Sequence, residues 1–224
     1  MIVVHHLENS RSQRVLWLLE ELGVPYEVRR YARDPKTMLA PPELRQVHPL
    51  GKSPVITDGE LTLAESGAIL EYLADRYGGG VLAPLAGTPE RVRYSYWMHY
   101  AEGSLMPPLL MKLVFDRMDK ADMPFFIKPV ARGLAERVRS TFIGPQIRTH
   151  LDYLEGELQG RDWFVGPQFS AADVQLSFPI EAARARGGLD DSRPQLMAWL
   201  ARIHARPAYQ RAVQRGGPFQ IIGS

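Results

Sequence analysis

There is no cysteine among the 224 residues. Disulfides, thiolate metal sites and a nucleophilic thiol of the protein's own are therefore excluded, and any sulfur chemistry must use the sulfur of a bound molecule. Charge of one sign is also lacking. Basic residues number 27 against 25 acidic ones, a net of +2, which gives little support to a nucleic-acid partner. No apolar run approaches the ~20 residues that span a membrane. The opening MIVVHHLENS is too short and too early-charged for a secretory signal. The expectation is a cytoplasmic protein without nucleic-acid or membrane partners. Three chemical signatures are missing as well. His5 and His6 are adjacent rather than four apart and no H-E-x-x-H occurs, so no metal is expected. No G-x-S-x-G is found, which argues against a serine hydrolase. Gly51-Lys52-Ser53 has the look of a phosphate loop, but Gln46 stands where the first glycine is needed and Pro54 where a helix should begin.

What is present is an ordinary globular composition, 45% hydrophobic and 23% charged, able to bury a core. Ile2–Val4 reads as a strand. Ser10–Leu22 follows with Val15, Leu18, Leu19 and Leu22 on one helical stripe, closed by Gly23 and Pro25. Tyr26–Tyr31 alternates like a strand. This predicts a βαβ unit, right-handed if its strands are parallel. PVIT and ELTL flank Asp58-Gly59, a strong hairpin signal, and Glu65–Tyr77 is helical by its Ile69, Tyr72, Leu73 face. Residues 1–80 are thus expected to form a βαβ–ββα domain. A Gly/Pro/Ala stretch at 81–88 reads as a linker, and 89–224 as an all-helical domain, with Pro107-Pro108 breaking its first helix pair. Arg215–Ser224 reads as a loose apolar tail. Ser170 and Asp173 have capping-box spacing, with Phe169 and Val174 at the staple positions.

Several residues of the first domain could serve a ligand. Pro54 cannot donate to a sheet ladder and suits a strand start. If the Ser53-Pro54 bond is cis, Ser53 presents its main-chain N–H and C=O as an open edge on which an extended peptide can dock. Glu65-Ser66 opens a helix, whose free N–H groups and dipole suit a carboxylate, while the Glu65 side chain could accept from an ammonium. An α-amino acid head carries both groups. Lys52 could pair with a second carboxylate at the far end of a short peptide. Asn9, Ser10 and Ser12 are N-cap candidates for the first helix, or one of them could donate to a bound thiolate. A free thiol with pKa near 8.5 is roughly 3% ionised at pH 7, and lowering that by two units takes about 2.7 kcal/mol. One charge-assisted hydrogen bond plus a helix N-terminus has that size. The ligand so described is a small anionic peptide with a free α-amino acid head and a thiol.

The chain resembles the glutathione S-transferases of the bacterial and fungal serine-type kind, nearly end to end. The motifs that carry the resemblance are LENSRSQRVLWLLEELGVPYE, HPLGKSPVITDG, LAESGAILEYL, HYAEGSLMPPLL and FSAADV. The resemblance implies a thioredoxin-like N-terminal domain, an all-α C-terminal domain and a homodimer. It implies glutathione as co-substrate, no permanently bound cofactor, and addition of the thiolate to a small electrophile. Ser10, with Arg14 following at the family's interval, matches the activating serine. Asn9 is the alternative, since some relatives use an asparagine, and Ser12 a distant third. Lys52 matches a contact to the glycyl carboxylate, and Ser53, before a cis Pro54, the residue whose main chain holds the cysteinyl part. Glu65 and Ser66 match the pair that holds the γ-glutamyl head. Position 53 is Ser where the family mostly has an apolar residue, which leaves main-chain binding intact. The electrophile is expected between the domains, on Trp97, Tyr100, Ser104 and Met106, although aromatics and methionines at helical spacing fit a core equally. A binding module on the same fold without turnover, and glutathione-dependent peroxide reduction or isomerisation, are the other functions such a chain could have.

Overall fold

The computed structural model of the chain describes residues 1–118, 121–217, 219 and 221. Part of the tail read as loose and apolar, at Pro218, Gln220 and 222–224, lies outside the described residues.

The front of the chain forms β1 (Ile2–Leu7), α1 (Ser12–Leu22), β2 (Tyr26–Tyr31), the short α2 (Leu44–Val47), β3 (Val55–Asp58), β4 (Leu61–Ala64) and α3 (Ser66–Tyr77). The sheet order is β2-β1-β3-β4. β1 runs parallel to β2 and antiparallel to β3, which is antiparallel to β4. The βαβ–ββα order matches the expectation from periodicity. The hairpin turn falls one residue later than the Asp-Gly signal suggests. Asp58 pairs with Ile2 and Leu61 inside the ladder, and Gly59, at φ +61°, starts the turn. Asp58 is drawn inward because its carboxylate accepts from the hydroxyls of Tyr72 (2.9 Å) and Tyr77 on α3.

The remainder is helical: α4 (Pro89–Tyr100), α5 (Met106–Met118), α6 (Lys128–Val138), α7 (Gly144–Glu157), α8 (Ala171–Ala182), α9 (Pro194–His204) and α10 (Pro207–Gly216). No strand occurs after Ala64 among the described residues. Pro107-Pro108 stand in the first turn of α5, and a five-residue π turn, Ala101–Leu105, joins α4 to α5. Prolines lack the N–H that an α-helical ladder requires. The wider π turn takes up the mismatch, and the helical run continues instead of breaking.

One hydrophobic cluster runs through both halves, from Val4, Val15 and Leu18 to Trp97, Phe164 and Trp199. α1 is packed on α3, α8 and α10. Trp17 meets Tyr209 edge-on at 5.1 Å between ring centroids. Arg206 closes on Glu21 at 2.6 Å and Arg211 on Glu20 at 2.8 Å. The Gly/Pro/Ala stretch is irregular but not solvated throughout: Leu82 and Ala83 are buried, and the Leu82 carbonyl accepts from the Ala171 N–H at 2.9 Å.

The capping box at α8 forms as its spacing predicts, Asp173 accepting from the Ser170 N–H (3.0 Å) and hydroxyl (3.2 Å). It also does more than start a helix. The Asp173 carboxylate takes the Phe164 N–H (3.1 Å) and the Trp199 indole (3.2 Å), so it pins three segments. Burial pushes its pKa up to about 6, against those four hydrogen bonds.

Candidate functional site

Two cavities share Arg11, Lys52 and Ser53 along their common wall. The smaller, about 250 Å³, is bounded by His48, Pro54, Glu65, Ser66 and Glu102. The larger, about 350 Å³, contains Asn9, Ser10, Met106 and Phe178. Ser10, Asn9, Lys52, Ser53, Pro54, Glu65 and Ser66 are therefore brought together, from three separate loops of the first half, around one continuous groove.

The Ser53-Pro54 peptide is cis. The Ser53 hydroxyl donates to the His5 carbonyl (2.9 Å) and accepts from the Leu7 N–H (3.3 Å). A small polar side chain is thus used at position 53 to fasten the loop to β1, which holds the Ser53 main chain where β3 begins.

Glu65 precedes α3 with φ +70°, a conformation that costs a non-glycine residue of order 1–3 kcal/mol. Its side chain is exposed to the groove, while Ser66 beside it is buried. The strain is sustained by what lies beneath. The Ser66 hydroxyl accepts from Arg14 Nη2 at 2.7 Å, and Arg14 Nη1 donates to the Gln175 carbonyl on α8 at 2.6 Å. Arg14 Nη2 also reaches Glu102 Oε1 at 2.6 Å, and Arg11 Nε meets both Glu102 oxygens at 2.9 and 3.0 Å. Burial pulls Arg14 down from its usual range while Glu102 opposes it, and a guanidinium stays charged regardless. Burial would raise Glu102, but Arg14 and Arg11 outweigh it and hold the carboxyl below its ordinary pKa. The floor of the groove is a charged, hydrogen-bonded network linking α1, α3, α8 and the π turn after α4.

Ser10 lies just ahead of α1, which starts at Ser12 and not at Ser10. Neither residue is the N-cap: that place falls to Arg11, which makes no side-chain cap. Freed from capping, the Ser10 hydroxyl is 2.7 Å from the Ser12 hydroxyl and accepts from the Ser12 N–H at 3.2 Å. The Ser12 hydroxyl in turn is 2.9 Å from His6 Nδ1. His6 is pushed down to about 4 by burial and by Arg30, so the ring is neutral at pH 7. A neutral ring donates from one nitrogen only. The ring also hydrogen-bonds the Gly216 main chain, and the Ser12 hydroxyl also reaches the Leu7 carbonyl at 3.3 Å, so the His6–Ser12–Ser10 chain ties the loop ahead of α1 to β1 and to the end of α10.

The residues nominated on the helical side divide. Met106 lines the larger cavity. Trp97 does not: it is wholly buried and donates to the Phe164 carbonyl at 2.9 Å. Tyr100 is buried too, 2.6 Å from His150 Nδ1 and stacked on Tyr96 at 5.6 Å. Ser104 is exposed on the π turn and lines neither cavity. The correction has a simple cause. The aromatic stripe of α4 faces α7 and the 163–165 segment, and the cleft begins only at α5. Residues that the sequence reasoning passed over are Arg11, Glu102, Phe178 and Arg117; Ser12 stood only as the third candidate donor, His6 as a strand-end residue and Arg186 as part of a solvated basic face. Arg11 and Glu102 left a signal, as polar residues inside motifs already singled out.

Family models for the glutathione S-transferase N-terminal domain and C-terminal domain match residues 1–75 and 144–207. Glutathione S-transferase 3 of Schizosaccharomyces pombe is 37% identical over 215 residues, covering 96% of this chain and 88% of the relative. A solved glutathione S-transferase from Actinobacillus pleuropneumoniae superposes with a TM-score of 0.78 at 32% identity, covering 99% of this chain and 95% of the other. A sphingomonad glutathione S-transferase solved in complex with glutathione gives a TM-score of 0.73 at 25% identity, covering 96% of this chain and 98% of the other.

Proposed function

The chain belongs to the glutathione S-transferase family, and from that premise we propose that it holds glutathione along the groove from Glu65 to Ser10 and adds its thiolate to an electrophile in the larger cavity. The protein is a glutathione transferase and takes glutathione as co-substrate. In this reading Ser66 and the first turn of α3 bind the γ-glutamyl carboxylate, Glu65 accepts from its ammonium, the Ser53 main chain pairs with the cysteinyl part, and Lys52 meets the glycyl carboxylate. Residues 1–80 supply this half of the site, 89–224 the electrophile side, and 81–88 the joint.

The observation that carries the reading is the Ser10 hydroxyl, which opens on the cavity that shares Lys52 and Ser53 with the Glu65–Ser66 side. A thiol bound there loses its proton to solvent, and the resulting thiolate accepts from Ser10 Oγ–H. Ser10 is a donor and forms no bond to carbon. The sulfur then attacks the electrophilic carbon at close range, the two reactants being held together instead of meeting by diffusion. Asn9 lines the same cavity and is the alternative donor. The reading also includes a cytoplasmic location and a homodimer. No described helix is long and apolar enough to cross a membrane, and Val92 and Tyr96 form an exposed apolar pair, four residues apart, on α4.

Titrating the thiolate absorbance of bound glutathione against pH tests the reading. A pKa well below the free value of about 8.5, returned toward it in Ser10→Ala but not in Asn9→Ala, is the expected result. The same pKa in the parent and in Ser10→Ala would remove Ser10 from the mechanism. A panel of electrophiles and peroxides then tells transfer from peroxide reduction.

A further inference from the structure

Arg11 stands where the two cavities meet. It follows Ser10 directly in the chain and lines both. Its guanidinium is anchored twice. Nε donates to both Glu102 oxygens, at 2.9 and 3.0 Å, and the guanidinium carbon lies over the Phe178 ring, 4.9 Å from its centroid. Glu102 lines the smaller cavity and Phe178 the larger, so the group bridges a polar wall and an apolar one. Both anchors leave its outer nitrogens untouched. Nη1 and Nη2 make no hydrogen bond among the described residues, and the side chain is 33% exposed. Arg14 shares Glu102 Oε1 at 2.6 Å. Two guanidiniums thus divide one carboxylate, and the trio keeps a surplus positive charge.

When the sulfur adds, its negative charge passes to the second substrate, and a donor fixed beside the atom that receives it lowers the barrier. Two kinds of soft electrophile receive that charge in different places. In displacement at a saturated carbon the S–C bond forms as the carbon–halogen bond breaks, and the halide leaves with the bonding pair on the side away from the sulfur. In conjugate addition the S–C bond forms at the β-carbon and the C=C pair shifts to leave an enolate oxygen. Water then gives the α-carbon a proton, replacing the one that the thiol lost to solvent. The enolate oxygen lies to the side of the line of attack, the halide at its far end. A donor that neighbours Ser10 is placed for the first and not for the second.

We propose that Arg11 is a further catalytic residue, whose Nη1 and Nη2 donate to the oxygen that becomes negative as glutathione adds to an α,β-unsaturated carbonyl compound, and that the site favours such acceptors over saturated halides. The role rests on the reading of the groove as the glutathione site with Ser10 as donor to the thiolate. Ser10 holds the charge before attack and Arg11 meets it afterwards.

The probes are trans-4-phenylbut-3-en-2-one and benzyl chloride, each kcat/KM divided by the uncatalysed rate with glutathione at the same pH. The enone-to-chloride ratio of the corrected values is expected to fall about 10- to 100-fold in Arg11→Ala, the lower part of the range for loss of a fixed oxyanion donor because the group is partly solvated. Guanidinium added to that variant at a sub-denaturing concentration should raise the enone rate and not the chloride rate, a rescue that a merely structural role would not give. In Arg11→Gln, whose amide can still donate to Glu102, the ratio should fall as well, which preserves the test if the alanine variant does not fold. Arg148→Gln, outside both cavities, keeps the parent ratio. A ratio that Arg11→Gln does not move, or an equal loss on both probes without guanidinium rescue, overturns the role. The two levels of the reading fail differently. Chloride turnover that depends on Ser10, with a ratio indifferent to Arg11, sinks the Arg11 role alone. Turnover of neither probe above the uncatalysed rate sinks the transfer reaction and this role with it.

Discussion

The two cavities that meet at Lys52 and Ser53 are built on opposite plans. The smaller is polar and over-determined. Glu65 is held in a left-handed conformation above a network in which Arg14 alone joins Ser66, Glu102 and the α8 backbone. The larger is loosely specified: Met106, Leu110 and Leu113 from α5 and Phe178 from α8 line it together with Arg11, Arg33, Lys52, Arg117 and Arg186. The first plan suits a guest that never changes, since every donor and acceptor can be fixed in advance. The second suits guests that vary in shape but share a gross property. Apolar contact discriminates weakly, by about 1–3 kcal/mol per group.

The comparison can be broken at several points. The largest effect is expected at Arg14. Arg14→Ala leaves the Glu102 carboxylate without its buried partner and should cost about 3–5 kcal/mol in urea unfolding; a loss under 1 kcal/mol would mean that the polar floor is not what holds the groove. Next is pH. The His6 pKa is lowered in the fold, so its contribution is fully present above the unfolded value of 6.5 and is lost as pH falls from 6.5 through about 4. That is a swing of about 3 kcal/mol, seen as a narrowing stability gap between the parent and His6→Gln. The variant is required as reference, because Asp173, raised to about 6, stabilises in the opposite direction as pH falls through that window.

Ser10→Ala should lower kcat about 10- to 100-fold, the worth of one charge-assisted hydrogen bond, with KM for glutathione within about twofold, because binding is assigned to other residues. Equal losses in both constants would make Ser10 a binding residue like those of the smaller cavity. Smaller still, Met106→Ala should raise KM for an apolar electrophile by about tenfold or less and spare glutathione retention on an affinity matrix. Retention should instead be lost in Glu65→Ala. Ser104→Ala, on the exposed face of the same turn, should change neither constant.

How much of this could be read from the chain follows the same division. β1, α1 and β2 announce themselves through local periodicity, and the hairpin through one dipeptide. The groove residues sit in short motifs because main-chain geometry at Pro54 and the start of α3 is local. α1 started two residues later than its hydrophobic stripe allowed, because Ser10 and Arg11 are taken up by the cavity and by Glu102. The cleft was far less legible. Trp97 and Tyr100 have the same spacing as true cleft residues, and only packing against Phe164 and His150 assigns them to the core. Arg14 and Glu102 are 88 positions apart, and Arg117 of α5 and Arg186 of the turn after α8 line one cavity that nothing in the local sequence foretells. Such meetings are tertiary events, invisible to a window of a dozen residues.

The bond from the Leu82 carbonyl to the first residue of α8 has a mechanical consequence. The segment between the halves is a wedge, clamped at the point where the Asp173 knot gathers Phe164, Ser170 and Trp199. Its two neighbours cannot swing about it as about a flexible tether. Heat should therefore melt the chain as one unit, in a single calorimetric peak, and excising the first 80 residues would strip Trp17 and Leu18 of their cover and deliver an aggregate, not a miniature of the glutathione half.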